Sequence, residues 1–221
     1  MTVSSYHSYD TSDVVARELS RQVADDIRLT LDERGHAKIA VSGGTTPLLF
    51  FDYLSREELD WTRTTITLVD DRCVPVDHER SNEGLVRERL LINNAQKAEF
   101  DPILGRSGET LLDPPCDVTV LGMGADGHTA SLFANGNNYS KAINPDTAIG
   151  YMDMDSPDLP ESRITMTLPN IVQSKNLYLH IEGQEKADVL ENALNSPAFP
   201  IHHIVRHPAT RLKVRWAAGK S

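Results

Sequence analysis

The stretch VTVLGMGADGHTASLF, Val118 to Phe133, decides how the chain is read. Val118–Leu121 is an unbroken apolar run, the pattern of a strand buried on both faces. It breaks into Gly122, Gly124, Asp126, Gly127 and His128, after which Thr129–Phe133 is expected to open a helix. That order places backbone N–H groups, an acid and an imidazole at one lip of a sheet. In open α/β sheets ligands bind at this lip, outside the carboxyl ends of the strands. Glycines let the backbone approach a ligand closely, and His128 is suited to take a proton near neutral pH. Gly122–Gly127 also fits G-x-G-x-x-G, but a dinucleotide site needs an acid about 20 residues on, at the end of the next strand. Asp146 follows Asn144-Pro145 and precedes the next apolar run, and Asp126 would aim a carboxylate at the pyrophosphate. A nucleotide is therefore not the expected ligand.

Working outward, the same strand–loop–helix order recurs. Val14, Val15, Leu19, Val23, Ile27 and Leu31 follow a helical period over residues 11–34, with Ser12 or Asp13 as cap and Gly35 as terminator. Ala37–Val41 reads as a buried strand. Ser42-Gly43-Gly44-Thr45-Thr46-Pro47 follows, then a helix over 48–54. Loop N–H groups, hydroxyls and a helix N-terminus make an anion site there, although no Gly-Lys-Ser/Thr of a Walker A loop is present. Residues 64–69 read as a strand ending in Asp70-Asp71-Arg72, charged groups that are costly to bury unless they serve each other or a ligand. Residues 83–91 read as a helix capped by Ser81 or Asn82, and 94–115 as irregular connection. Further on, strands are expected at 148–152, 163–168, 177–181 and 211–216. Residues 135–144 and 152–161 read as loops, and helices are expected at 169–173 and 184–194. Lys186 lies in the first turn of that last helix, against dipole preference unless an anion sits above it. His203 and His207 are four apart, but flanking prolines and the lack of a glutamate after His203 speak against a zincin.

Strands alternate with helices and no linker divides them, so the expected fold is one α/β domain over residues 1–221, a parallel-rich three-layer sandwich. Four strand ends carry polar groups: Ser42–Thr46, Asp70–Arg72, Gly122–His128 and Gly183–Lys186. In a parallel sheet such ends share an edge, so the four are expected to meet. The formal net charge is −10 over 221 residues, with no basic tract, so no nucleic-acid partner is expected. No run of 18 apolar residues and no signal peptide are read, so neither a membrane partner nor export is expected. Cys73 and Cys116 fit no metal spacing and are expected to be buried, reduced thiols, in keeping with a cytoplasmic protein.

Taken together, VSGGTTP at 41–47, DDRCVPVDHERSN at 70–82, GMGADGHTASLF at 122–133, RITMTLPNI at 163–171 and EGQEK at 182–186 resemble the 6-phosphogluconolactonase family. The resemblance runs from about 37 to 216. It implies a Rossmann-like α/β sheet without a bound dinucleotide, shared with glucosamine-6-phosphate deaminases. It implies hydrolysis of 6-phospho-D-glucono-1,5-lactone, in the oxidative pentose phosphate or Entner-Doudoroff route, without metal or cofactor, by a monomer or small homo-oligomer. His128 matches the general base. Ser42, Gly43, Gly44 and Thr45 match the phosphate loop, with Arg163 and Lys186 as phosphate-side cations. Arg72 and Asp70 match the strand-end motif beside the substrate, and Asp126 is expected to orient His128 or organise its loop. Loop N–H groups around Gly124–Gly127, or Arg72, are the candidate donors to the oxyanion. The sequence departs from the family at Asp71 for Glu, Cys73 for Trp, Ala134 for Pro, and acidic Asp158 for a loop lysine. The related deaminases carry glutamate where Phe133 stands and tyrosine where Arg72 stands. A non-catalytic sugar-phosphate sensor on the same sheet would be free to lose His128.

Overall fold

In the computed structural model, which describes residues 3–219, the elements run in order. They are β1 (Val3–Tyr9), α1 (Ser12–Arg34), β2 (Ala37–Val41), α2 (Leu48–Ser55), β3 (Thr64–Leu68), β4 (Asp70–Arg72), α3 (Asn82–Arg89), β5 (Glu99–Asp101), β6 (Val118–Leu121), α4 (Tyr139–Ala142), β7 (Tyr151–Met154), β8 (Arg163–Met166), α5 (Leu168–Val172), β9 (Asn176–Glu182), α6 (Gln184–Ala193), α7 (Ile201–Val205) and β10 (Leu212–Ala217). Seven strands form one parallel sheet in the order β1-β10-β9-β6-β2-β3-β5. The apolar runs explain its centre: β3 and β6 are buried along their whole length, as parallel strands covered on both faces must be. Helix α1 lies on this sheet through Leu19, Val23 and Ile27, none of which is exposed; burying each contributes about 1.5–3 kcal/mol. Thr11, one residue before the expected caps, accepts the N–H of Val14 through its side chain, and Gly35 ends the helix at φ 77°. The expected α/β sandwich is this sheet with its helices.

Several local expectations fail for identifiable reasons. Thr129–Phe133 forms no helix: Ala130 sits at φ 49° and Leu132 N–H closes a turn on Thr129 O. Buried hydroxyl bonds hold the segment that way. Thr129 Oγ1 donates to Gly122 O at 2.7 Å, and Ser131 Oγ donates to Asp70 Oδ2 at 2.5 Å. Asp70–Arg72 is not the end of β3 but a strand of a second sheet, antiparallel in the order β4-β8-β7. The chain crosses over at Val69, whose N–H still bonds Val41 O while its carbonyl accepts Met166 N–H. Edge strands β1 and β5 lie in stretches expected to be irregular or left unassigned, β7 falls three residues later than expected, and a short α4 interrupts the loop at 135–144. Ser81 caps α3, its Oγ accepting Gly84 N–H at 3.0 Å. Cys116 is buried as expected, but Cys73 is exposed, on the rim where β4 ends.

Candidate active site

The carboxyl ends of β2 and β6 meet β9, the first turn of α6 and the small second sheet around a cavity of about 250 Å3. Of the residues proposed from sequence, Ser42, Gly43, Gly44, Thr45, Asp70, Arg72, His128, Arg163 and Lys186 all line it. Asp126 does not; it stands behind His128. The four polar strand ends do converge, although Arg72 and Arg163 arrive on antiparallel strands rather than on the parallel sheet.

The loop after β2 is tied down at its start and open along its length. Ser42 N–H donates to Val120 O at 3.0 Å, and Ser42 Oγ accepts Gly122 N–H at 3.1 Å, joining this loop to the one carrying His128. Among the described residues, the N–H groups of Gly43, Gly44, Thr45 and Thr46 have no protein acceptor. Pro47 precedes α2 as a cap without a side-chain bond, and Leu48 N–H turns back to Thr45 O at 3.4 Å. Gly44 has φ 96°, a conformation that favours glycine. A Cβ on Gly43 would fall 2.0 Å from Asn82 Oδ1, so only glycine allows this approach. Free donors at a helix start constitute an anion cradle. Lys186, half-buried at the start of α6, is within ion-pairing distance of no carboxylate among the described residues.

His128 is held by its neighbour. Its Nδ1 lies 2.6 Å from Asp126 Oδ1, which also accepts the His128 N–H at 3.1 Å. The imidazole contact, foremost, holds the Asp126 carboxyl below the usual carboxylate range. An ionised partner at Nδ1 fixes the tautomer with the proton there, leaving Nε2 as a free acceptor. Gly124 N–H donates to His128 O, and Gly127 N–H to Gly124 O. These two are therefore spent within the loop; of the oxyanion donors that the sequence suggested, Ala125 N–H, which has no protein acceptor among the described residues, and Arg72 remain. The ring of Phe133 packs on His128 at 4.7 Å between centroids, and the Arg163 guanidinium lies 5.8 Å from the Phe133 centroid.

Arg72 and Arg163 are register partners on β4 and β8. Arg72 Nη1 donates to Arg80 O at 2.6 Å, and Arg163 is 5% exposed. Burial, with Arg72 beside it, draws Arg163 below the usual guanidinium range. Two cations sharing one wall without a carboxylate clamp favour an anionic ligand.

Sequence reading missed two lining residues. Asn82, read only as a possible cap, turns its side chain inward; Nδ2 donates to Asp70 O at 2.9 Å. His180 is 2% exposed, with Glu182 Oε1 3.5 Å from its Nε2. A polar side chain in the apolar run Leu177–Ile181 was the available signal. The histidines near the C-terminus serve elsewhere: His202 Nδ1 is 2.7 Å from Ala193 O, and Ile201 N–H donates to Gly127 O, bracing the His128 loop from outside. Among the described residues no group of three His, Cys, Asp or Glu is placed to hold a metal ion, and no helix is long and apolar enough to cross a membrane.

The family model for glucosamine-6-phosphate isomerases/6-phosphogluconolactonase matches residues 10–216. A 6-phosphogluconolactonase of Rhizobium meliloti is 39% identical, covering 96% of this chain and 97% of its own. One from Neisseria meningitidis is 37% identical over 96% of this chain and 98% of its own. The crystal structure of a 6-phosphogluconolactonase from Shewanella baltica superposes with a TM-score of 0.90 at 35% identity, covering 97% of this chain and 98% of that one. With a family model spanning nearly the whole length and relatives this similar end to end, the chain belongs to the glucosamine-6-phosphate isomerase/6-phosphogluconolactonase family.

Proposed function

We propose that the chain is a carboxylic ester hydrolase that opens 6-phospho-D-glucono-1,5-lactone to 6-phospho-D-gluconate, a step of the oxidative pentose phosphate pathway. The observation that carries this reading is one cavity holding both an imidazole with a free nitrogen and an unoccupied set of loop N–H donors. The phosphate rests on Gly43–Thr46 with Lys186 and Arg163 as counter-charges, which positions C1 of the lactone ring before His128. Nε2 takes a proton from water as the water oxygen bonds to C1. The carbonyl electrons collect on oxygen, within reach of Arg72 as donor. When they return, the C1–O5 bond breaks, and the imidazolium gives its proton to the departing ring oxygen. Acid–base help of this kind contributes typically about 10²–10⁴-fold, ample for an activated ester. Asp126 steadies the imidazolium throughout. Because phosphate binding is spent on positioning, losing it lowers turnover as well as affinity.

The amino-sugar isomerase activity named in the same family fits this chain less well. Phe133 covers one face of His128 where those enzymes carry a carboxylate. The test is acid release from the phospholactone at neutral pH, read against a buffer blank because the lactone also opens unaided. A rate far above the blank supports the proposal; a rate equal to the blank contradicts it.

A further inference from the structure

His180 lines the cavity and is almost wholly out of water, yet neither of its ring nitrogens has a hydrogen-bond partner among the described residues. Glu182 Oε1 stands 3.5 Å from Nε2 without completing a hydrogen bond. Its other oxygen accepts Ser12 Oγ at 2.7 Å, which ties the carboxylate to the start of α1. In either protonation state an imidazole carries at least one N–H. A donor buried without an acceptor is costly unless a ligand supplies one. Hydrolysis at His128 makes no use of this ring.

Strand register sets where the ring stands. Leu179 pairs with Leu121, and Val41 with Val120. His180, Gly122 and Gly43 therefore fall at about one level across β9, β6 and β2. Side chains alternate along a strand, so His180 shares a face with Tyr178 and Glu182. That face is covered by α1, through Tyr178 Oη to Asp26 at 2.7 Å and Ser12 to Glu182. It is also covered by α2, whose Phe50 ring meets His180 edge-on at 6.5 Å between centroids. Helix α2 starts just after the Gly43–Thr46 cradle, and β9 runs through Gly183 into the helix that carries Lys186. His180 is thus grouped with the cradle and Lys186, not with the second sheet that holds Arg72 and Arg163.

We propose that His180 is a further phosphate-binding residue, donating a ring N–H to the anion held on the Gly43–Thr46 loop. This rests on the phosphosugar reading of the cavity. A phosphate offers several acceptor oxygens at one point, so it can engage the loop N–H groups, Lys186 and the imidazole together.

The test is calorimetric binding of 6-phosphogluconate and of inorganic phosphate to the full chain and to His180→Leu, His180→Asn and His180→Gln. In His180→Leu both ligands should bind about tenfold or more weakly than in the wild type. The asparagine and glutamine amides place an N–H near Nδ1 and Nε2 respectively, so one of the two should recover much of that loss. His180→Leu should melt no lower than the wild type, because the unliganded ring has no hydrogen bond to lose. Affinity unchanged in His180→Leu overturns the proposal and leaves the phosphosugar reading standing. Weaker binding of 6-phosphogluconate with that of inorganic phosphate unchanged also overturns it, as does recovery in neither amide variant. A wild type that binds neither ligand defeats the phosphosugar reading and the proposal together. Lactone turnover at the blank rate with the binding losses as expected would defeat the hydrolase reading alone.

Discussion

At the scale of single residues, His128 depends on what surrounds it rather than on its own sequence position. Asp126 fixes the proton on Nδ1, Phe133 covers one face, and the space for the ring exists because residue 124 has no side chain. A Cβ at Gly124 would fall 2.3 Å from His128 Cε1, 2.4 Å from Nδ1 and 2.6 Å from Asp126 Oδ1. Gly124→Ala is therefore expected to push the ring aside and lower kcat by about 10²-fold, the effect of a misplacement near 1 Å. Tm should move little, because the loop is at the surface; steady-state kinetics beside a thermal melt checks both. His128 was legible from its residue type and its loop; Arg72 and Lys186, which a strand-end salt bridge or a solvated side chain explains as well, gained weight from sharing one sheet edge, and Arg163 from the family resemblance. Asn82 and His180 were not, because an asparagine beside a helix and a histidine within a strand have ordinary structural explanations. Cys73 was misjudged because the scarcity of cysteines and their lack of metal spacing say nothing of its place, which is a rim at the end of a short strand on a second sheet.

At the scale of elements, the site depends on β4 leaving the parallel sheet, and Asp71 secures that departure. Its carboxylate, fully buried, accepts the N–H groups of Arg72 at 2.7 Å, Asn82 at 2.7 Å and Glu83 at 2.9 Å, joining β4 to the start of α3. Asp71→Ala strands these donors and should cost about 3 kcal/mol, roughly 6–12 °C in Tm for a chain of this size; urea and thermal unfolding measure it. At the end of β9, the nearby His180 imidazole and then a hydrogen bond from Ser12 hold the Glu182 carboxyl below its usual range. The Ser12 bond, 2.7 Å, is the sounder of the two, since the imidazole contact is 3.5 Å. A carboxyl depressed by folding stabilises the protein above its unfolded value of about 4.3 and loses that contribution as pH falls through its folded value. Glu182→Gln should therefore unfold with less pH dependence than the wild type below about pH 4.5, as acid titration of Tm would show. The central strands were legible from their apolar runs. Edge strands β1 and β5 were not: one is polar along most of its length and the other is three residues long, so neither has a periodicity to read. The absent helix at 129–133 shows the same limit, because buried hydroxyl bonds to distant residues outweigh local helical preference there.

At the scale of the whole molecule, a chain of net charge −10 must gather positive groups locally to hold an anion. Lys186 and Arg163, from separate elements, both line one cavity. Lys186→Ala and Arg163→Ala should each weaken use of the phospholactone far more than use of unphosphorylated gluconolactone, by about tenfold or more for a charge-assisted contact. Equal losses on both substrates would remove them from the phosphate site. The account as a whole rests on His128 acting on a ligand that other residues hold. Its most direct test is His128→Ala, assayed for phospholactone hydrolysis above the blank and, by calorimetry, for phosphosugar binding. The account predicts a fall in turnover of at least about 10²-fold with affinity nearly unchanged; turnover equal to the wild type would contradict it.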